Sequence, residues 1–279
     1  MTLSQCLAEK KDQLIAADIP SAALDSDLIA THVLQKDKTW LITHAGYILS
    51  DSELASIDDM VTQRAKRVPL AYLTGHKEFY GREFVITPDV LIPRPETEEL
   101  IEIIKELAVS QSLTPNSQLR ILDVGCGSGC IGLSTKLELP DAKLTLSDVE
   151  EAALDVAKQN SQSLGVEDVT YLKSDLLEHW LHQDSPEQYD LIVSNLPYVD
   201  PTWETSPELD HEPAEALYAD DNGLLLIKKL IDQASQLLVS RGYLLLEADP
   251  RQFDAIVEYS DQFSEVKRQN FALLLRLTA

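Results

Sequence analysis

From Leu119 to Ala248 the chain alternates, with little interruption, between short apolar runs and helical stripes. "LRILDVG", "KLTLSDV", "VTYLKSD", "YDLIVSN" and "GYLLLEA" read as strands, and "CIGLSTKLEL", "EEAALDVAKQNSQSLG" and "LLLIKKLIDQASQLLV" as helices. Strands this apolar, separated by helices, bury both faces of a mostly parallel sheet, which predicts an α/β fold. The last twenty residues are β-rich, but the pattern does not place them.

The first seventy residues carry a different pattern. Leu3, Leu7 and Leu14 fall on one helical face, Leu24, Leu28 and Ile29 begin a second stripe, and Leu54, Ile57 and Val61 mark a third. Ser50 and Glu53 have the spacing of a capping box that opens the third helix. Three sections follow: a helical domain over 1–70, a β-hairpin connector over 71–92 punctuated by Gly75 and Gly81, and the α/β domain over 93–279. In "LIPRPETEELIEIIKELA", Pro95 can start a helix, Glu96, Glu98 and Glu99 suit its first turn, and Leu100, Ile103, Ile104 and Leu107 form its buried stripe. A loop, "VSQSLTPNSQ", joins this helix to the first strand of the sheet.

Composition narrows the function classes. With 44% hydrophobic and 25% charged residues the chain is globular, and no apolar run approaches the roughly 20 residues of a membrane span. The N-terminus lacks the basic and apolar blocks of a secretory signal, so the cytoplasm is the expected compartment. Lys and Arg number 23 against 47 Asp and Glu, a formal charge of −24, and such a surface repels a phosphate backbone. Direct nucleic-acid binding is therefore not expected, nor is membrane binding. Cys6, Cys126 and Cys130 make no disulfide framework, and no His or further Cys near Cys126 and Cys130 completes a metal site, so no metal is expected.

"LDVGCGSGCIG" joins a predicted strand to a predicted helix. Gly125, Gly127 and Gly129 let the backbone turn sharply, with Cys126 and Ser128 between them, and helix N–H groups beyond the turn face any ligand there. "GSGCIG" fits the dinucleotide fingerprint G-x-G-x-x-G. Starting from Asp123, the same stretch is D-x-G-x-G-x-G, which resembles the cofactor loop of S-adenosylmethionine-dependent methyltransferases. In that resemblance Asp123 compensates the cofactor's ammonium group, directly or through water. Asp148, 19 positions after Gly129, ends the next strand and can accept ribose hydroxyls of either cofactor. Asp175 ends the third, where Leu176 can pack on an adenine.

At the end of the fourth strand stands Asn195-Leu196-Pro197-Tyr198. The pattern [Asn/Asp]-x-Pro-[Tyr/Phe] at this place is similar to that of methyltransferases acting on planar nitrogens. An amide lone pair is delocalised, so such a site must grip the NH2 by its hydrogens. The Asn195 side-chain oxygen and the Leu196 carbonyl are the expected acceptors, Pro197 stiffens the turn, and Tyr198 offers a flat face to the planar group. Asn195 is expected to face the reacting end of the cofactor.

Further segments narrow the resemblance. "RVPLAYLTGHKEFYGREF", "LIPRPETEEL", "HEPAEALYADDNGLLLIKKLI" and "LLLEADPRQFDAI", in this order from about Arg64 to about Ile256, resemble the N5-glutamine methyltransferases of peptide chain release factors. The resemblance implies a Rossmann-like methyltransferase domain behind a small helical domain, S-adenosylmethionine as cofactor, and a release factor as partner. The methyl group would go to the side-chain amide of the glutamine in its Gly-Gly-Gln loop. Arg94 and Glu96 are expected to shape the substrate mouth. Two departures stand out. The family usually has a second proline at Leu196, and Asn-Leu-Pro-Tyr is also the form seen in ribosomal-RNA adenine methyltransferases. "FSEVKRQNFALLLRLTA" lacks the family's closing Asp…Arg pattern. The alternatives are thus a ribosomal-RNA adenine N6-methyltransferase and a ribosomal-protein glutamine methyltransferase; the Arg94-Pro95-Glu96-Thr97 run speaks against the second.

Overall fold

The computed structural model describes residues 1–110 and 118–278; positions 111–117, within the loop expected at 109–118, lie outside the described residues. The chain divides into two compact units. One comprises Met1–His76 together with Thr205–His211, the other Lys77–Glu204 and Glu212–Ala279.

The first unit is built on helices α1 (Leu3–Ala16), α2 (Ala22–Leu34), α3 (Lys38–Thr43), α4 (Asp51–Ala65) and α5 (Leu70–Thr74). Ser50 and Glu53 form the capping box expected at the start of α4. The core gathers Leu3, Leu14, Ile29, Ile57 and Val61. The expectation for α2 is corrected: Leu24 and Leu28 are exposed, and the inward face is Ala22, Asp25, Ser26, Ile29 and Ala30. The reason is an ion pair. The buried Arg64 of α4 donates through Nε to Asp25 Oδ2 at 2.7 Å, and an uncompensated guanidinium inside would cost more than two exposed leucines. Small residues beside Asp25 also let the helices approach closely.

Arg64 has a second partner. Its Nη2 lies 3.3 Å from Glu208 Oε1, and Arg67 Nη1 reaches the same oxygen at 3.3 Å. These pairs fasten Thr205–His211 to the helical unit, although that segment follows the fourth parallel strand by ten residues in the chain. Burial alone would raise the Glu208 carboxyl, but hydrogen bonds from Ser206, Arg67 and Arg64 outweigh it and hold it at about 2.

The hairpin β1 (His76–Phe79) and β2 (Arg82–Val85), which lies in the second unit from Lys77 onward, is followed by α6 (Glu98–Val109), whose stripe Leu100, Ile103, Ile104 and Leu107 is buried as expected. The sheet then forms from β3 (Arg120–Val124), β4 (Lys143–Asp148), β5 (Val169–Lys173), β6 (Tyr189–Ser194), β7 (Leu238–Glu247), β8 (Phe263–Gln269) and β9 (Ala272–Leu277). Between strands run α7 (Cys130–Glu138), α8 (Glu151–Leu164) and the helix Leu225–Leu237. The order is β5-β4-β3-β6-β7-β9-β8, parallel as far as β7, with β9 antiparallel to both its neighbours. This is the Rossmann-like α/β fold with a helical N-terminal unit that the sequence predicts. The unplaced C-terminal residues prove to be the antiparallel pair that closes one edge.

Every residue of β6 is buried, which requires cover on both faces. From β3 the chain builds outward through β4 and β5, then returns to start β6 on the other side. The carboxyl ends of β3 and β6 therefore flank the topological switch point, where open α/β sheets place ligands. Their register pairs Val124 with Ser194, so Gly125 and Asn195 leave the sheet side by side.

The turn after β6 is held from behind. Asp221, Asn222 and Gly223 all have positive φ, and Gln252 Nε2 donates to the carbonyls of both Tyr198 (2.9 Å) and Asn222 (2.8 Å). A Cβ on Gly223 would lie 2.0 Å from the Tyr198 carbonyl oxygen.

Two outcomes follow from these packings. Gly223→Ala meets both a left-handed backbone, which costs a side-chain-bearing residue about 1–2 kcal/mol, and the Tyr198 carbonyl. It lowers the melting temperature, measured by a thermal scan, by about 5 °C or more. For Glu208→Gln the sign follows from a folded-state pKa below the ordinary 4.5: stabilisation is present above that value and fades as pH falls toward 2. Melting curves of the two proteins should therefore differ near neutrality and converge in acid.

Candidate active site

A cavity of about 420 Å³ opens over the switch point. Gly125, Cys126, Gly127 and Ser128 form one wall, Asp148 stands at the end of β4, and Asp175 and Leu176 follow β5. Asn195, Leu196 and Pro197 enter from β6, while Arg94 and Thr97 enter from the segment ahead of α6. Residues predicted from five separate stretches of sequence thus meet in one place.

The Gly-rich turn depends on its backbone. Gly125 and Gly127 have φ of +69° and +52°; a Cβ at Gly127 would meet nothing within 4 Å, so that face of the turn is open to a ligand. Gly129, with φ +77°, does not line the cavity; a Cβ there would lie 3.0 Å from Leu133 of α7 and 3.2 Å from Ala157 of α8, so the glycine lets α8 pack against the start of α7. The turn is braced from the side by Asn160 of α8, fully buried, whose Nδ2 donates to the carbonyls of Ser128 (2.9 Å) and Val85 (3.0 Å). Its Oδ1 accepts the Val85 N–H at 2.7 Å, so one asparagine joins the hairpin to the turn.

Asp123 stands where the sequence does not place it. It is fully buried behind the turn rather than in the cavity wall, and its Oδ2 accepts the Gly132 N–H at 2.9 Å, anchoring the start of α7. Burial pushes its carboxyl up to about 7, opposed by the Gly132 hydrogen bond and assisted by the charge of Asp148. Burial likewise pushes the Cys126 thiol well up and the Cys130 thiol to about 12, so neither is a nucleophile near neutrality.

Asp148 Oδ2 accepts the Gly127 N–H at 2.9 Å, and its Oδ1 accepts the Glu150 N–H at 3.0 Å. Each carboxylate oxygen has a second lone pair, leaving room for two hydroxyl donors from the cavity. Asp175 is half-exposed and paired with Lys229 at 2.9 Å; the neighbouring Leu176, with φ +48°, supplies an apolar surface.

On the opposite side, Asn195 Nδ2 donates to Thr97 Oγ1 at 3.4 Å. Tyr198 does not line the cavity. The residue is half-buried: its ring packs on the core, and its hydroxyl donates to Glu247 Oε1 at 3.2 Å. Burial, with the nearby Glu247 carboxylate, pushes the Tyr198 hydroxyl pKa up, and Tyr198 stays protonated. Arg94 lines the cavity with its guanidinium on the buried Glu212, which also accepts the Ile92 N–H at 3.1 Å. Glu96 is exposed and outside the wall. Thr97, Glu212, Glu247 and Gln252 are the functional supports that sequence reasoning missed, although each lies inside a quoted segment.

The charge of the wall decides between the cofactors that the turn admits. Asp89, Asp148, Glu150, Asp175 and Glu215 supply five carboxylates, and Arg94 the one cationic side chain. Such a lining disfavours a pyrophosphate and suits an adenosine-bearing cation. Among the described residues no group of three or more His, Cys, Asp or Glu is placed to hold a metal ion, and no helix is long and apolar enough to cross a membrane.

Known proteins agree with this reading. Residues 5–75 match the PrmC N-terminal domain and residues 106–214 the methyltransferase small domain. A release factor glutamine methyltransferase of Koribacter versatilis is 38% identical over 258 residues, covering 90% of this chain and 89% of that protein. The Escherichia coli protein of the same name is 34% identical over 263 residues, covering 92% and 89%. Among solved structures, a methyltransferase from Pyrococcus furiosus superposes with a TM-score of 0.50 at 16% identity, covering 78% of this chain and 98% of that one; at such identity the likeness concerns the fold alone. Aligned over nine-tenths of its length with relatives of that one name, around an acid-lined cavity suited to S-adenosylmethionine, the chain belongs to the family of release factor glutamine methyltransferases.

Proposed function

We infer that this enzyme methylates the side-chain amide nitrogen of a glutamine in a peptide chain release factor, within the Gly-Gly-Gln loop, and does not bind nucleic acid directly. The observation that carries the reading is Asn195 at the end of β6, adjacent to the Gly-rich turn and open to the acid-lined cavity. S-adenosylmethionine, when bound, supplies an electrophilic methyl group on a positively charged sulfur. Gly125 to Ser128 and Asp148 would hold it, with Leu176 beside the adenine.

The protein's part is to place and polarise the amide. Asn195 Oδ1 and the Leu196 carbonyl accept the two amide hydrogens, which reduces delocalisation of the nitrogen lone pair and aims it at the methyl group. The turn is fixed by Pro197 within it and by Gln252 and Gly223 beneath the Tyr198 carbonyl, so Leu196 in place of a second proline leaves the acceptor in position. Leu196 also packs against the Gly-rich turn: its Cδ2 lies 3.1 Å from where a Gly125 Cβ would be. Arg94, held by Glu212, offers a cation at the rim for a substrate carbonyl. No side chain is placed as a nucleophile, and the amide proton leaves to solvent. A formal charge of −24 supports a protein rather than an RNA substrate.

Labelled methyl transfer tests the reading with three acceptors: an unmethylated release factor, the same factor with its Gly-Gly-Gln glutamine replaced, and ribosomal RNA. Label on the intact factor alone is expected, and label on RNA would overturn the proposal. Asn195→Ala should lower kcat roughly 100- to 1,000-fold, the scale of one preorganised hydrogen-bonding group in a transition state, with little change in cofactor affinity. Asp148→Ala should act on the other term and raise the S-adenosylmethionine Kd by about 10- to 100-fold in calorimetry.

A further inference from the structure

Behind the Asn195 turn lies a buried polar cluster that the mechanism so far leaves unused. Glu247 ends β7 with 2% of its surface exposed. Its Oε1 accepts the Tyr198 hydroxyl, and its Oε2 has no hydrogen-bond partner among the described residues. Thr97 and Asn195 stand near the same carboxyl, and Asn195 Nδ2 donates to Thr97 Oγ1 at 3.4 Å. Burial pushes the carboxyl up to about 7 and the charge of Glu96 adds to this, opposed by the donors Thr97, Tyr198 and Asn195. A buried acidic group with an open acceptor, in a cluster of donors and outside the cavity wall, requires an account.

An asparagine side chain can present either its oxygen or its nitrogen to a substrate, and the two ends have nearly the same shape. A substrate NH2 is gripped only by the oxygen; the nitrogen would set donor against donor. In its ionised form, which prevails as pH rises above about 7, the Glu247 carboxyl offers acceptors and nothing else. Placed behind Asn195 and beside Thr97, whose Oγ1 accepts the Asn195 Nδ2, it can keep the amide nitrogen turned inward and leave the oxygen for the cavity.

We propose that Glu247 is a positioning residue for the transfer, holding the Asn195 carboxamide with its nitrogen toward β7 and its oxygen toward the substrate amide. The proposal rests on the amide reading above. It also gives Tyr198 a role other than stacking: its hydroxyl, on Oε1, fixes the carboxyl that orients Asn195.

The test uses the full chain with an unmethylated release factor, and reads kcat, KM for the factor, the S-adenosylmethionine Kd and the melting temperature. Glu247→Gln keeps the shape but presents an NH2 that invites the Asn195 oxygen inward. It should lower kcat about 10-fold or more, with the cofactor Kd within about threefold of the unsubstituted chain. Combining it with Asn195→Asp restores a donor behind an acceptor, because the new amide donates to one aspartate oxygen and leaves the other for the substrate. The double variant should therefore turn over faster than Glu247→Gln alone, a rescue that a merely structural role would not produce. Asn195→Asp with Glu247 intact sets two acceptors face to face and should lose turnover; this arm does not depend on the glutamine variant folding. Unchanged kcat in Glu247→Gln or in Asn195→Asp, or losses that simply multiply in the double variant, would overturn the proposal. Asn195→Ala separates the two levels. If it turns over normally, the amide reading itself fails; if it is inactive while Glu247→Gln is unimpaired, only the role of Glu247 fails.

Discussion

The site depends on the parallel pairing of β3 with β6. These strands are neighbours in the sheet but far apart in the chain, and their register sets Val124 against Ser194. That pairing brings a turn able to hold a cofactor beside a turn able to hold an amide. Neither turn is sufficient alone: glycines approach a ligand closely because they lack a Cβ, and in the proposed reaction Asn195 selects a nitrogen because it can offer an oxygen. The chemistry arises where the two ends meet, at the point where the sheet changes its direction of growth.

Around that meeting point the structure spends its buried polar groups on rigidity. Asn160 joins the hairpin to the Gly-rich turn, Asp123 anchors α7 behind it, and Gln252 joins the Asn195 turn to the left-handed run at Asp221 to Gly223. Asn160 and Gln252 use both ends of their carboxamides, and Asp123 its Oδ2, at places where a shift of the backbone would misalign the reacting atoms. In this reading methyl transfer has no covalent intermediate with the protein, so alignment is the main contribution the chain can make.

The fold was legible because its signals are periodic. Strand and helix stripes survive as patterns in a single sequence, and the expected sheet and helical unit are both present. The stripe on α2 misled for a local reason: Leu24 and Leu28 look like core, but the Asp25 pair with Arg64 turns them outward. The cavity wall was legible where a motif carries it, as at Gly125 to Ser128, Asp148 and Asn195 to Pro197. Asp123, Gly129 and Tyr198 lie within those motifs yet stand behind the wall, since a motif gives spacing and not which way a side chain points. Thr97, Glu212, Glu247 and Gln252 are single polar residues whose partners across the site lie 30 to 120 positions away in the chain, and no local pattern marks them.

The central claim is that Asn195 and the Leu196 carbonyl grip the glutamine by its amide hydrogens. The most direct measurement is a crystal structure of the enzyme with S-adenosylhomocysteine and a peptide containing Gly-Gly-Gln. The account predicts the glutamine side-chain nitrogen within hydrogen-bonding distance of both Asn195 Oδ1 and the Leu196 oxygen, with Asn195 Nδ2 turned toward Thr97 and Glu247. A glutamine whose carbonyl oxygen meets Asn195, or whose side chain lies outside the cavity lined by Asp148 and Asn195, would contradict it.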